Sequence, residues 1–490
     1  MTTTASSLVL GWAVNKSLDP SYWVAGTPAP GRQASSDMVV VPAPLIARHI
    51  AIIAQSGSGK SFFLGRLIEE ILVKTKSRVL VLDPNSDFRK INELVSNDFW
   101  KSGKYDAADR SGFLPDEETI GPFDEKWKQV SKAVYSANRL RINPFERPSI
   151  KPLEIDWTTI STEVLAGELN PLLEDELRRC HAFVRTISRL MDLTKDAVWH
   201  RQNHLLDVAK AISDEMSQQN PEQRALTIRH HFPFNQGIVQ NEPYSDSSDL
   251  LERAVGLLHR QVVIHREYIS EAIERFYFSN AFGIRFEGLL REQNTLRSTQ
   301  ARERLQVIDL PSISEARYRP WVTSTLIEVE WLEARRRWEK AIGSGGEDDR
   351  APTFIVLDEA HNLVPLEPRN SAERGLREQF RRIAAEGRKF GMFLILVSQR
   401  PDKLDSFVVS ECEDKAVMRL GSETVLAKTR EVLGLGEVPE RMLERCLEFD
   451  TGRALLAGAW VNNTPLFLYG CARRTLEGGK NLKESYWAVS

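Results

Sequence analysis

The sequence predicts an α/β fold on a mainly parallel sheet, and two observations carry that prediction. Short apolar runs, β-branched and apolar on both faces, alternate with helical patterns at both ends of the chain, as strands do when helices cover a parallel sheet. Between about residues 93 and 304 the alternation stops and the chain turns helical and charged, which reads as an insertion into the α/β unit.

The elements follow in order. Residues 7–14 and 37–42 supply a few strands, within a short β segment over 1–45. Strands are expected at 50–54 and 78–82, then at 305–309, 353–357, 393–397, 415–420, 453–460 and 465–471. These give a core over 46–92 and 300–475. A helical insertion fills 93–299, with apolar residues at helical spacing in 161–192, 194–216 and 248–279. The stretch 101–126 and the run Gly343-Ser344-Gly345-Gly346 read as loops, and 476–490 as a tail that includes the aromatic pair Tyr486-Trp487.

Composition narrows the function classes. The 490 residues are 42% hydrophobic and 27% charged, a globular profile, and the net charge of -3 excludes a uniformly basic nucleic-acid coat. A local basic channel stays compatible with that charge, since a field depends on where charges sit. The four cysteines, Cys180, Cys412, Cys446 and Cys471, form no C-x-x-C pair, which argues against a zinc site or disulfide framework and for a reducing, cytoplasmic setting. No apolar run approaches the roughly 20 residues a bilayer needs. The start Met1-Thr2-Thr3-Thr4 lacks the charged and apolar regions of a signal peptide.

The strongest motif is Ala54-Gln55-Ser56-Gly57-Ser58-Gly59-Lys60-Ser61, set between an apolar strand and the helical stretch from Phe62. Its glycines let the backbone wrap a phosphate, and amides and a helix N-terminus then face the anion. Lys60 is placed to reach β- and γ-phosphates, and the Ser61 hydroxyl to ligate Mg²⁺. The candidate nucleotide contacts are therefore Gln55, Ser56, Gly57, Ser58, Gly59, Lys60, Ser61 and Phe62. The strand Thr353–Leu357 ends in Asp358-Glu359. Asp358 is expected to hold Mg²⁺, partly through water, and Glu359 to act as base toward the attacking water. Gln399, at the end of Phe393–Val397, is the candidate γ-phosphate or water contact, or else part of a polar turn before Pro401. Arg388 is the first candidate for an arginine acting in trans on a neighbour's nucleotide, with Lys389, Arg381, Arg382 and Arg400 as rivals. Asp83 is either part of the nucleotide site or a cap of the turn that follows.

Taken in order, these pieces resemble the HerA–FtsK superfamily of P-loop ATPases, and its HerA-like members most. The matching residues are Ile50–Ile53 running into Gly57–Ser61, Val81-Leu82-Asp83-Pro84, Val307-Ile308-Asp309-Leu310, Asp358–Asn362, Glu386-Gly387-Arg388-Lys389-Phe390-Gly391 and Ser398-Gln399-Arg400-Pro401. Asp358-Glu359-Ala360-His361 also spells the DEAH box of superfamily 2 helicases, but none of their later motifs follows. The resemblance implies a RecA-like core, use of ATP and Mg²⁺, a hexameric ring, and double-stranded DNA in its pore. It further implies a nuclease or NAD-consuming effector as partner, in DNA processing or antiviral defence. Two departures stand out. The family's Asp-Pro-His-Gly-Glu is here Asp83-Pro84-Asn85-Ser86-Asp87, and Lys60 comes too early for the family's full N-terminal β-barrel. Two other functions share the motifs: an ATP-switched scaffold that assembles an effector, and a conjugation or secretion motor. DNA contacts are poorly marked. Arg178, Arg179, Arg260, Arg266 and Arg291 come with acids nearby, and Arg335-Arg336-Arg337 reads as helix surface.

Overall fold

The computed structural model describes residues 7–13, 38–95, 117–137, 150–153, 187, 208–209, 211–212, 303–313, 316, 319–343, 348, 350–470 and 473–478. In chain order its strands are β1 (Ser7–Ala13), β2 (Met38–Pro42), β3 (Ile50–Ile53), β4 (Arg78–Asp83), β5 (Lys132–Ser136), β6 (Ile150–Pro152), β7 (Leu305–Asp309), β8 (Thr353–Leu357), β9 (Met392–Ser398), β10 (Asp414–Val417), β11 (Arg453–Ala457) and β12 (Leu466–Gly470). Its helices are α1 (Lys60–Lys74), α2 (Glu117–Gln129), α3 (Arg319–Gly343), α4 (Ser371–Phe390), α5 (Ser406–Ser410), α6 (Glu423–Val432) and α7 (Glu440–Glu444).

Every apolar run expected to be a strand is one. All join a single sheet in the order β2-β1-β12-β11-β10-β3-β9-β8-β4-β7-β5-β6. From β10 to β6 neighbouring strands run parallel. Successive side chains on a strand face opposite ways, and the core divides accordingly. Ile50, Ile52, Val79 and Val81 pack against Phe63, Leu64, Leu67 and Ile71 of α1 and Trp127 of α2. Ala51, Ile53, Leu80 and Leu82 face Trp331 of α3 and Leu376, Phe380 and Ile383 of α4. Helices thus cover both faces, which is why the strands are apolar throughout.

Two expectations are corrected. The expected helical insertion over 93–299 is not helical throughout: β5 and β6 extend the sheet beyond β7, and α2 covers part of the 101–126 stretch read as loop. The sheet is mainly parallel, as expected, and turns antiparallel where β11 pairs with β10 and with β12. The N-terminal strands form no separate unit; β1 pairs with β12 and with β2. The start of the tail region packs on the core: the Leu476 and Gly478 N–H groups donate to the carbonyls of Glu93 and Asp87. The helical readings at 161–192, 194–216 and 248–279 lie largely or wholly outside the described residues, as do Arg178, Arg179, Arg260, Arg266, Arg291 and the aromatic tail. Arg335 and Arg336 are exposed on α3, as expected of surface. Cys412 and Cys446 are buried free thiols. Among the described residues no helix is long and apolar enough to cross a membrane.

Parallel pairing places the carboxyl ends of β3, β9, β8, β4 and β7 along one edge. Ile53 lies opposite Ser398, Leu357 opposite Leu396, Leu82 opposite Leu357, and Asp83 opposite Asp309. Crevices outside the carboxyl ends of such strands are where open α/β sheets bind ligands.

Candidate functional site

The loop after β3 leaves the sheet between β9 and β10, with the Ala54 N–H donating to Ser398 O (3.1 Å) and the Gln55 N–H to Arg419 O (2.9 Å). Gly57 (φ +73°) and Gly59 (φ +91°) occupy the left-handed region, where a Cβ is costly. At Gly59 a Cβ would also come within 3.0 Å of the Gly452 nitrogen. The outward carbonyls are held from outside. Gly57 O accepts from Arg419 Nη2 (3.2 Å) and Thr451 Oγ1 (3.1 Å), and Ser58 O accepts from the Gly452 N–H (2.9 Å). A planar trans peptide points its N–H away from its C=O, so fixing Ser58 O aims the Gly59 N–H to the opposite side. Among the described residues the N–H groups of Gly57 and Gly59 have no protein acceptor. Together with the positive N-terminus of α1 they form an anion cradle. Gln55, Ser56 and Gly57 are exposed at its mouth; Ser61 and Phe62 are half-buried in the first turn of α1.

The register of the sheet brings the distant carboxylates to this cradle. Lys60 Nζ lies 2.5 Å from Glu359 Oε1 and 3.0 Å from Asp358 Oδ1. Gln399 Nε2 donates to the same Glu359 oxygen. Glu359 takes φ +46°, a left-handed conformation that costs a non-glycine residue on the order of 1 kcal/mol or more. The four groups set one another's protonation. Burial works against the Lys60 ammonium, but Asp358 and Glu359 outweigh it and hold its pKa above the ordinary value. Burial also pushes the Glu359 carboxyl up, and the hydrogen bond and charge of Lys60 prevail and bring it below the usual range. Asp358 is fully buried, and there burial wins and raises its pKa despite Lys60.

Asp358 also bears on the metal. Although Lys60 pairs with Oδ1, neither oxygen of Asp358 makes a hydrogen bond among the described residues. A buried carboxylate with open acceptor positions fits a divalent cation or its water shell. Among the described residues no three His, Cys, Asp or Glu gather as a self-sufficient metal site. That fits Mg²⁺, which takes one or two protein ligands and completes its shell with phosphate and water; Ser61 and Asp358 would supply the protein's share.

The remaining candidates sort by position. Both oxygens of Asp83 serve the turn after β4: Oδ1 accepts from the N–H groups of Asn85 (3.2 Å) and Asp87 (3.1 Å), and Oδ2 from Phe88 (2.8 Å). Burial lifts its pKa to about 7. Arg388 sits in the last turn of α4, at the amino edge of β9. Its side chain is 66% exposed and pairs with Glu413 at 3.3 Å. The seven residues of β9 span about 23 Å at strand rise, so Arg388 lies far from its own subunit's phosphate loop. Its rivals have other occupations. Arg381 is bound to Asp405, Arg382 to Glu328 with its guanidinium over Trp331, and Lys389 lies over Trp338. Arg400 adjoins Gln399, and its N–H donates to Ser398 Oγ.

Several residues at the site carried no role in the sequence reading. Asp87 accepts the Ser61 hydroxyl (2.9 Å), and His361 Nδ1 lies 3.1 Å from Ser398 Oγ and 3.5 Å from Glu359 Oε2. Arg473 donates to Ser61 O (3.2 Å), while Arg419 and Thr451 hold Gly57. Asp87 and His361 alone had a local signal, as the acid closing Asp83-Pro84-Asn85-Ser86-Asp87 and as part of Asp358-Glu359-Ala360-His361.

Comparison with known proteins follows this geometry. The family model described as "Helicase HerA, central domain" matches residues 29–328. The DNA double-strand break repair helicase HerA of Pyrococcus furiosus is 24% identical over 398 residues, covering 77% of this chain and 57% of its own. A probable helicase of Methanocaldococcus jannaschii is 32% identical over 116 residues, 24% of this chain and 21% of its own. The chain thus spans about a fifth to under three fifths of the length of these two curated relatives. Among solved structures, VirB4 of Thermoanaerobacter pseudethanolicus aligns over 95% of this chain and 96% of its own at 14% identity, with a TM-score of 0.41.

Proposed function

Since the chain belongs to the HerA helicase family, whose central-domain model matches it over residues 29–328, we propose that it is an ATP-hydrolysing, ring-forming motor on double-stranded DNA. The observation that carries this reading is the convergence of Lys60, Asp358, Glu359 and Gln399 on the phosphate loop at one edge of the sheet. In the proposed reaction the amides of Gly57 and Gly59 and the Lys60 ammonium bind the phosphates of ATP. Ser61 and Asp358 hold Mg²⁺, which would neutralise charge developing on the phosphate oxygens. Glu359, kept ionised by its surroundings, takes the proton of the attacking water, and Gln399 orients its carboxylate.

Arg388 serves a neighbour rather than its own site in this proposal. Its exposure and its place on the far edge of the sheet support that role. A hexamer with nucleotide between subunits, DNA in the pore, and a nuclease or NAD-consuming effector as partner complete the proposal. Steady-state ATP hydrolysis with and without linear double-stranded DNA tests it, with Lys60→Ala as blank. Several-fold stimulation that the blank loses is the expected result. Hydrolysis indifferent to DNA but raised by an effector would replace the motor with a scaffold that ATP switches.

A further inference from the structure

We propose that Asp87 positions the Ser61 hydroxyl for the divalent cation, an inference that rests on the nucleotide-site reading above. The Ser61 hydroxyl lies 2.9 Å from Asp87 Oδ2, to which it donates. A hydroxyl has one proton and two lone pairs. With the proton committed to Asp87, the hydroxyl presents its lone pairs elsewhere, as a cation ligand must. Outer carboxylates orient metal ligands in this way.

Asp87 is itself held from two sides. Its N–H donates to Asp83 Oδ1 at the end of β4 (3.1 Å), and its carbonyl accepts from the Gly478 N–H (2.8 Å). The second contact requires glycine, because a Cβ at 478 would come within 2.0 Å of Ser86 O. The same C-terminal segment sends Arg473 to the Ser61 carbonyl at 3.2 Å. Ser61 is therefore fixed at both its backbone and its hydroxyl. An independent observation points to the ligand: Asp358 is fully buried, its Oδ2 makes no hydrogen bond among the described residues, and its Oδ1 faces the Lys60 ammonium at 3.0 Å. Two carboxylates near a triphosphate call for a hard cation with oxygen ligands, the Mg²⁺ class.

The test is nucleotide binding rather than turnover. Fluorescently labelled ADP is titrated onto the full chain in EDTA and in saturating Mg²⁺. Wild type is expected to bind more tightly with Mg²⁺. Asp87→Ala should lose about 10- to 100-fold of the Mg²⁺-dependent affinity, the range for outer-shell partners, while its affinity in EDTA stays that of wild type. Asp87→Asn keeps an oxygen acceptor and should lose less. In a Ser61→Ala background, Asp87→Ala should add nothing, since the two act as a pair. Wild-type Mg²⁺ dependence in Asp87→Ala, or an equal loss in EDTA, overturns the role of Asp87 alone. A wild-type protein that binds ADP equally with and without Mg²⁺ overturns this inference alone, and one that binds no ADP in either condition overturns the nucleotide-site reading with it.

Discussion

Replacing Glu69 by Ala should unfasten the segment that follows β12 from the back of the phosphate-loop helix. Glu69 lies in α1, two turns beyond Ser61, and is fully buried. Its Oε1 accepts from the backbone N–H groups of Arg474 (3.0 Å) and Thr475 (2.8 Å) and from the Thr475 hydroxyl (2.8 Å). Truncation strands two buried backbone donors at about 2 kcal/mol each, the middle of the range for an unsatisfied group. The Thr475 hydroxyl loses the acceptor of its proton but still accepts from Arg473 Nε and can rotate, and Arg66 keeps Glu70. The expected loss is about 4 kcal/mol. In a large domain that corresponds to a fall in melting temperature on the order of 10 °C. Glu69→Gln retains one acceptor oxygen and should fall less. Thermal unfolding followed by circular dichroism reads both variants. Because the segment also carries the contacts of Arg473 to Ser61 and of Gly478 to Asp87, Glu69→Ala should weaken Mg²⁺-dependent ADP binding too. A melting temperature within about 2 °C of wild type, less than 1 kcal/mol on this scale, would refute the ledger.

Three further outcomes follow from the site. Glu359→Gln should lower kcat by about 10²- to 10⁴-fold, the usual worth of a general base, as read by phosphate release. It should bind ATP at least as tightly as wild type, because Lys60 loses one of the two carboxylates that compete with phosphate. Mixed Arg388→Ala and Glu359→Gln subunits should hydrolyse ATP faster than either variant alone, since some interfaces then pair an intact base with an intact arginine; a mixture no faster than its parts counts against action in trans. His49 gives a pH dependence of stability. Its Nδ1 accepts from the Leu394 N–H (2.9 Å) and its Nε2 donates to Ala384 O (3.1 Å). Burial lowers its pKa to about 4, with Ala384 opposing and Arg388 assisting. A depressed histidine contributes stability that is present above its unfolded pKa of 6.5 and is lost as pH falls through 4. Denaturant titrations should therefore show a decline of about 3 kcal/mol across that window, absent in His49→Gln.

The strands were legible because burial on both faces leaves a plain mark: Ile50–Ile53, Val79–Leu82 and Phe354–Leu357 are apolar without interruption. Strand direction was not legible. Nothing in Leu455, Leu456, Phe467 or Leu468 distinguishes a parallel neighbour from the antiparallel one each has. β5 escaped notice because the apolar middle of Lys132-Ala133-Val134-Tyr135-Ser136 is short and lies beside charged helical sequence. That Lys60 meets Asp358 and Glu359 was foreseeable, since a glycine-rich turn into a helix and a pair of acids ending a strand are both local patterns. Asp87 and Arg473 were not foreseeable, because their role lies in a contact with Ser61 that only the packed chain creates.

The phosphate loop shows why a local motif can have a non-local shape. Its eight residues are contiguous, yet the carbonyls of Gly57 and Ser58 are held by Arg419, Thr451 and Gly452. Arg419 follows β10 and Thr451 precedes β11, the pair at which the sheet changes from parallel to antiparallel. An antiparallel return brings the end of β10 and the start of β11 to the same edge, which parallel pairing would not do. That edge is the one where β3 ends, since β10 runs parallel to β3 with Val417 opposite Ile53. The reversal at β11 is therefore what places Thr451 and Gly452 against the loop. The antiparallel part of this mainly parallel sheet thus braces the loop whose sequence was easiest to read.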